Sequence, residues 1–238
     1  MEIEVRGRKV RAVVFDLDET LYRCSGEAEE KMWGDLRRKL VTAPEVLAKQ
    51  GIVDPEEETI KKLVESYVEQ AQEIGWKLSF LAMGGSEESF FDITSSLSTA
   101  DHLSYDPDLV ELLNLLMQHL PVHVFTGSVR ERAFEALEVL IADLSGQFQN
   151  NKLLAGDDMR QATKPDLAAY QEMLDRFDLN PETTILVDDQ LSEVETAASL
   201  GMITFWIQEL NQGENEFSPH ILINSLADLL DHLQIDDN

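Results

Sequence analysis

Four short segments carry residues that could do chemistry together. Phe15-Asp16-Leu17-Asp18-Glu19-Thr20-Leu21-Tyr22 places two carboxylates one residue apart, directly after the apolar run 10–15. A chain turning off a buried strand can aim both into one pocket, where they repel each other and need a cation or a shared proton. A hard, oxygen-preferring ion such as Mg²⁺ meets that need. Thr126-Gly127-Ser128 offers a hydroxyl and exposed backbone N–H groups after the run 122–125, a combination that can hold a phosphate oxygen. Thr163-Lys164-Pro165-Asp166 sets a lysine just ahead of a Pro-initiated helix, where its charge adds to the positive helix end and favours an anion. Asp188-Asp189 closes an Ile-Leu-Val run. Extended backbone makes their side chains diverge, so one of the two is expected to face a metal directly. Each segment alone also reads as something ordinary: an acidic surface turn, a strand-to-helix turn, a surface lysine, a capping turn. Acid pair, hydroxyl, lysine, acid pair, at successive strand ends or helix starts, is a combination that independent accidents would rarely produce.

The elements that must position them are short β-rich runs alternating with amphipathic helices. Strands are predicted at 10–15, 122–125, 152–155, 184–187, 202–207 and 221–223. Leu109, Leu112, Leu113, Leu116 and Leu120 mark the apolar face of one helix, Phe134, Leu137, Leu140, Ile141 and Leu144 a second, and Leu167, Tyr170, Leu174 and Phe177 a third. A short fourth, with Ala197, Ala198 and Leu200, ends at Gly201. The alternation predicts an α/β fold with a parallel sheet covered by helices on both faces, whose ligands bind beyond the carboxyl ends of the strands. Between residues 22 and 104 the alternation stops. Ile60, Leu63, Val64, Tyr67, Ala71 and Ile74 fall at helical spacing, Asp54-Pro55 and Ser86 read as helix starts, and Gly84-Gly85 separates two helices. The expected organisation is an α/β core of residues 1–21 and 105–238 with an all-helical segment, 22–104, inserted after the first strand.

Composition excludes several classes of function. The 238 residues hold 19 Lys plus Arg against 46 Asp plus Glu, a formal net charge of −27. Such a chain repels nucleic-acid polymers and anionic membrane surfaces, and a phosphate substrate requires a metal and a few placed cations to invert the local field. No apolar run is long enough to span a bilayer, and the first residues lack the pattern of a secretory leader. The single Cys24 excludes an internal disulfide and a Cys-based zinc site, in keeping with a reducing, cytoplasmic compartment. His123, inside a predicted strand, is expected to be packed there rather than to ligate.

The ordered motifs resemble the haloacid dehalogenase superfamily of hydrolases: Asp16-Leu17-Asp18-Glu19-Thr20 is similar to its first motif, Thr126 to its second, Lys164 to its third and Asp188-Asp189 to its fourth. The resemblance implies a Rossmann-like core, with the helical insertion as a mobile cap. A narrower resemblance, to the pyrimidine 5′-nucleotidase-like branch, rests on 15–22, on Val124-Phe125-Thr126-Gly127-Ser128, on Thr163-Lys164-Pro165, and on Val187-Asp188-Asp189-Gln190 with Val194-Glu195-Thr196 and Leu200-Gly201-Met202. Gly127 and Glu193 depart from it, standing where that branch usually carries Asn. The superfamily resemblance implies Asp16 as nucleophile, Asp18 as acid and then base, and Thr126, Gly127 and Lys164 on the phosphoryl oxygens. It implies Mg²⁺ held by Asp16 and Asp188 and the backbone carbonyl of Asp18, with Asp189 in support. A halide leaving group needs no acid, so Asp18 favours phosphoester chemistry. The expected activity is Mg²⁺-dependent hydrolysis of a small phosphorylated metabolite, by the narrower resemblance a nucleoside 5′-monophosphate, by a monomer or small homo-oligomer. The alternatives are a phosphatase for a sugar phosphate or phosphoglycolate, and a phospho-accepting or scaffold module without turnover.

Overall fold

A computed structural model of the chain describes residues 2–23, 27–96, 100–149, 151–159, 162–208 and 220–235, with side chains of the first helix described from residue 31. Cys24 lies outside them. The chain divides into two compact units, residues 1–23 with 104–238, and residues 24–103.

The first unit opens with a hairpin that hydrophobic periodicity does not reveal, because each of its strands, β1 (Glu4–Val5) and β2 (Arg8–Lys9), has only two residues. Arg6 and Gly7 between them both have positive φ, 50° and 74°. That is the primed turn whose twist matches a tight hairpin, and glycine takes such a φ without steric cost. The Arg8 guanidinium then donates to the Glu182 carbonyl at 2.9 Å and to the Gly201 carbonyl.

The main sheet contains β3 (Ala12–Phe15), β4 (Val122–Phe125), β5 (Leu153–Leu154), β6 (Thr184–Asp188), β7 (Ile203–Ile207) and β8 (Ile221–Ile223), in the order β5-β4-β3-β6-β7-β8. All five pairings are parallel. A parallel sheet of this kind is buried on both faces, and the near-continuous apolar runs of β3, β4 and β6 are buried throughout.

The second unit holds α1 (Glu27–Val41), α2 (Pro44–Gln50), α3 (Glu57–Ile74), α4 (Trp76–Ala82) and α5 (Glu87–Ser95), and no strand among its described residues. Ser86 opens α5 by accepting the Ser89 amide at 3.1 Å. Ile60, Tyr67 and Ala71 of α3 are buried, and the Tyr67 hydroxyl donates to the Trp76 carbonyl at 2.9 Å. One start differs from expectation. Asp54 does not cap α3; it takes a left-handed turn (φ 50°), and Glu56 is the residue before the helix. Aspartate tolerates that backbone.

The rest of the first unit contains α6 (Pro107–His119), α7 (Arg130–Ile141), α8 (Leu167–Phe177), α9 (Leu191–Ser199) and α10 (Leu226–Leu233). Val14, Phe125 and Leu186 pack from one sheet face into a core with Ala169, Tyr170, Met173 and Phe177 of α8 and Ala197 of α9. Val13, Phe15, Val124 and Val187 face the other way and are equally buried, and α6 meets both β4 and α10 on the chain's return. Asp106 caps α6 through the Leu109 amide at 2.9 Å. Two boundaries correct the sequence reading. Ala142 (φ 40°) stops α7, so Leu144 sits in a 3₁₀ segment, Ala142–Phe148. Pro165 does not initiate α8, whose first residue is Leu167 after Asp166.

His123 is packed, as expected, with its ring stacked on Phe177 at 4.4 Å between centroids. Its Nδ1 finds no hydrogen-bond partner among the described residues, and burial lowers its pKa to about 4. A depressed histidine pKa means that the unfolded chain binds the proton first, so stability falls as pH drops from about 6.5 toward 4. Between pH 7 and pH 5 this group should cost the native state about 2 kcal/mol. His123→Phe keeps the stacking and removes the titration. Urea unfolding at pH 7 and pH 5 should show a smaller acid-side loss in the variant, and an equal loss would remove His123 as its source.

Candidate active site

The sheet order places β3 between β4 and β6, so the residues following these three strands meet at one end of the sheet. Asp16 continues β3, its amide still bonded to the Val187 carbonyl at 3.0 Å. Asp188 is the last residue of β6 and is fully buried. Lys164 arrives in the loop before α8, and its side chain is only 3% exposed. Its ammonium donates to Asp16 Oδ1 at 2.6 Å, to Asp188 Oδ2 at 2.9 Å and to the Phe125 carbonyl at 3.3 Å, and it stands 5.0 Å from the centre of the Phe125 ring. Asp16, Lys164 and Asp188, from three of the four segments that the sequence singles out, therefore meet at one place.

A fourth joins them. Glu193, on the first turn of α9, ion-pairs with Lys164, and oxygens of Asp16, Asp188 and Glu193 lie within 4.8 Å of one another. Sequence reasoning noted Glu193 only as a departure from a motif. Its distance of five residues from Asp188 becomes contact because the chain turns straight from β6 into α9.

The electrostatics follow from burying three carboxylates around one ammonium. Burial pushes the Asp16 carboxyl well above the usual range, Lys164 opposes this and Asp188 adds to it. Glu193 is raised by burial and by Asp188, against Lys164. Burial alone would lower the lysine, but Asp16, Asp188 and Glu193 outweigh it and hold Lys164 firmly protonated. Acidic charge stays in excess, and hard carboxylate oxygens in such an arrangement fit a divalent cation such as Mg²⁺. Asp189 diverges from Asp188 as the extended backbone predicts. It accepts the Thr20 hydroxyl at 3.4 Å, and burial with the neighbouring Asp188 charge pushes it up to about 8. The Trp206 indole pins its carbonyl at 2.8 Å.

Asp18 turns elsewhere. Its Oδ1 accepts from the Tyr22 hydroxyl and from the Arg132 guanidinium, the latter at 2.5 Å, and its Oδ2 accepts from the Ser128 hydroxyl. Tyr22 keeps its proton, since burial and the Asp18 charge raise its pKa well above the ordinary phenol value. The carboxylate triplet thus consists of Asp16, Asp188 and Glu193, with the side chains of Asp18 and Asp189 held by other partners. Arg132 carried no signal in the sequence: an arginine on a charged helix face looks like any other until the fold buries it.

Thr126 directly follows β4 and is fully buried, with its hydroxyl accepting the Ser128 amide at 3.1 Å. Gly127 is exposed. The loop that carries it is held from beneath. The Gly156 amide donates to the Ser128 carbonyl at 2.7 Å, and a side chain at Gly156 would run into the Gly127 carbonyl, 2.3 Å from an added Cβ.

Comparison with known proteins bears on the fold and the family. A curated relative, Enolase-phosphatase E1 of Shewanella sp. (strain ANA-3), is 28% identical over 126 residues, 52% of this chain and 53% of the relative; the chain thus matches about half the length of that protein. Among solved structures, a HAD phosphatase from Thermococcus onnurineus superposes with a TM-score of 0.60 at 18% identity, covering 95% of this chain and 99% of that one. A predicted phosphoglycolate phosphatase from Haemophilus somnus 129pt gives 0.58 at 18% identity, covering 93% and 97%. At these identities the two structures speak for the fold. The family profile of haloacid dehalogenase-like hydrolases matches residues 10–201, a stretch running from β3 through α9 and containing every carboxylate and cation of the site, and the chain belongs to that family.

Proposed function

We propose that the protein is a Mg²⁺-dependent phosphomonoester hydrolase working through an aspartyl-phosphate, with nucleoside 5′-monophosphates, pyrimidine ones first, as preferred substrates. The observation that carries the reaction type is the pairing of buried Asp16 with Lys164 while a second carboxylate, Asp18, is separately held by three donors. Displacement of a halide would have no use for that second carboxylate. The nucleotide preference rests on the motif resemblance to the pyrimidine 5′-nucleotidase-like branch. The competing reading, another small phosphomonoester, draws on the name of the Shewanella relative.

In this mechanism an Asp16 oxygen attacks phosphorus, the ester P–O bond breaks, and the leaving oxygen takes a proton from Asp18. Water then attacks the phosphorus of the aspartyl-phosphate and gives its proton to Asp18, and the P–O bond to Asp16 breaks, releasing phosphate, restoring the Asp16 carboxylate and returning Asp18 to its protonated form. Lys164 and Thr126 bear on the phosphoryl oxygens, where fixed charge and hydroxyl need no reorganisation during the reaction. Asp16 and Asp188, with the Asp18 carbonyl and with Asp189 and Glu193 beside them, would hold Mg²⁺, which supplies positive charge against the phosphoryl oxygens. The inserted helical unit is assigned the role of a cap that selects the leaving group.

The test is phosphate release from a panel of nucleoside monophosphates, sugar phosphates and phosphoglycolate. Expected are multiple turnovers with Mg²⁺, a preference for pyrimidine nucleoside 5′-monophosphates, and a loss of at least about 100-fold with excess EDTA. At most one phosphate per chain would identify a phospho-accepting module instead, and a preference for another ester would replace the nucleotide assignment.

A further inference from the structure

We propose that Arg132 is a positioning residue that acts through Asp18, orienting its carboxylate so that Oδ2 is the oxygen that gives and takes the proton. The inference rests on the hydrolase reading and adds a residue that neither the motifs nor the family match assigns. Its basis is the placement of donors around Asp18. A carboxylate offers about four lone-pair directions, two on each oxygen. On Oδ1, Tyr22 and Arg132 take both. On Oδ2, Ser128 takes one, which leaves one direction for a leaving oxygen or a water.

The three donors come from separate segments: Tyr22 from the turn after β3, Ser128 from the loop after β4, and Arg132 from the first turn of α7. Their agreement fixes a side chain that would otherwise choose among rotamers, since Asp18 is 21% exposed. Arg132 is the strongest of the three. It is charged, its side chain is only 5% exposed, and a buried guanidinium keeps its carboxylate partner far more firmly than a surface one does. A base or acid misplaced by one ångström loses much of its effect on a proton in flight.

The effect is read as a dependence on leaving group. In the first half-reaction Asp18 protonates the leaving oxygen, so kcat/KM for a poor leaving group needs it, whereas 4-nitrophenolate departs without a proton. Arg132→Gln is expected to lower kcat/KM by about 10–100-fold for an alkyl phosphate such as a nucleoside 5′-monophosphate, and by less than about 3-fold for 4-nitrophenyl phosphate. Arg132→Lys should recover part of the loss. In an Asp18→Asn background, Arg132→Gln should cost nothing further. Ser128→Ala removes a single hydrogen bond from the same carboxylate and should show the same leaving-group pattern, which keeps the test open if Arg132→Gln melts early. Equal losses on both ester types, or a loss that adds to that of Asp18→Asn, would overturn the role of Arg132 and leave the hydrolase reading standing. Undiminished turnover by Asp16→Asn would overturn that reading and this inference with it.

Discussion

Replacing Asp16 by Asn is expected to lower phosphate release by on the order of 10⁴-fold or more while leaving the chain folded. The amide has the shape of the carboxylate but no anionic oxygen to attack phosphorus, so the covalent step is lost rather than slowed. The fold should survive for an electrostatic reason. Asp16 is one of three acids around a single ammonium, and its carboxyl is already pushed well up by burial and by Asp188. Removing its charge relieves repulsion with Asp188 and leaves Lys164 two carboxylate partners. In Mg²⁺-free buffer the melting temperature should therefore stay level or rise. Turnover and thermal melting on the same sample check both halves. A melting temperature that falls by many degrees would show that Asp16 supports the fold, and activity within tenfold of wild type would remove it as nucleophile.

Lys164→Met should have the largest effect on stability. It deletes the ammonium that neutralises Asp16, Asp188 and Glu193 while leaving all three buried. Breaking a buried ion pair from one side costs about 3–5 kcal/mol, and in a domain of this size each kcal/mol is worth about 2–4 °C. A drop of about 10 °C or more is expected in Mg²⁺-free buffer. Millimolar Mg²⁺ should return part of it, because a ligand that binds only the folded state stabilises by mass action. Adding Glu193→Gln to Lys164→Met should return part as well, since it removes one of the uncompensated charges. Differential scanning calorimetry of the single and double variants, with and without Mg²⁺, reads both effects. An unchanged melting temperature in Lys164→Met would mean that the carboxylates are neutralised without it.

Much of this molecule was legible from residue order. Strands β3, β4 and β6 announced themselves as apolar runs because both faces of a parallel sheet are buried, and α6 did so through its leucines. Asp16, Lys164 and Asp188 could be nominated because each directly follows a strand or precedes a helix, and in an α/β sheet those positions converge. Boundaries were less legible. Asp54 and Pro165 look like helix starts by residue type, but their backbones are committed to turns by the surrounding chain. The two-residue strands β1 and β2 are too short to show any period.

The amino-acid order determined the alternation of elements, the inserted helical stretch and the identity of the acids and the lysine, since each depends on neighbours within a few residues. Only the tertiary structure decided how those acids divide their work. Glu193 joins Asp16 and Asp188 around Lys164, while Asp18 is drawn aside by Tyr22, Ser128 and Arg132. The physical reason is that a side chain's partners are set by the direction in which buried backbone aims it and by the water that burial removes. Both arise when segments more than 100 residues apart close on one another, as those carrying Asp18 and Arg132 do.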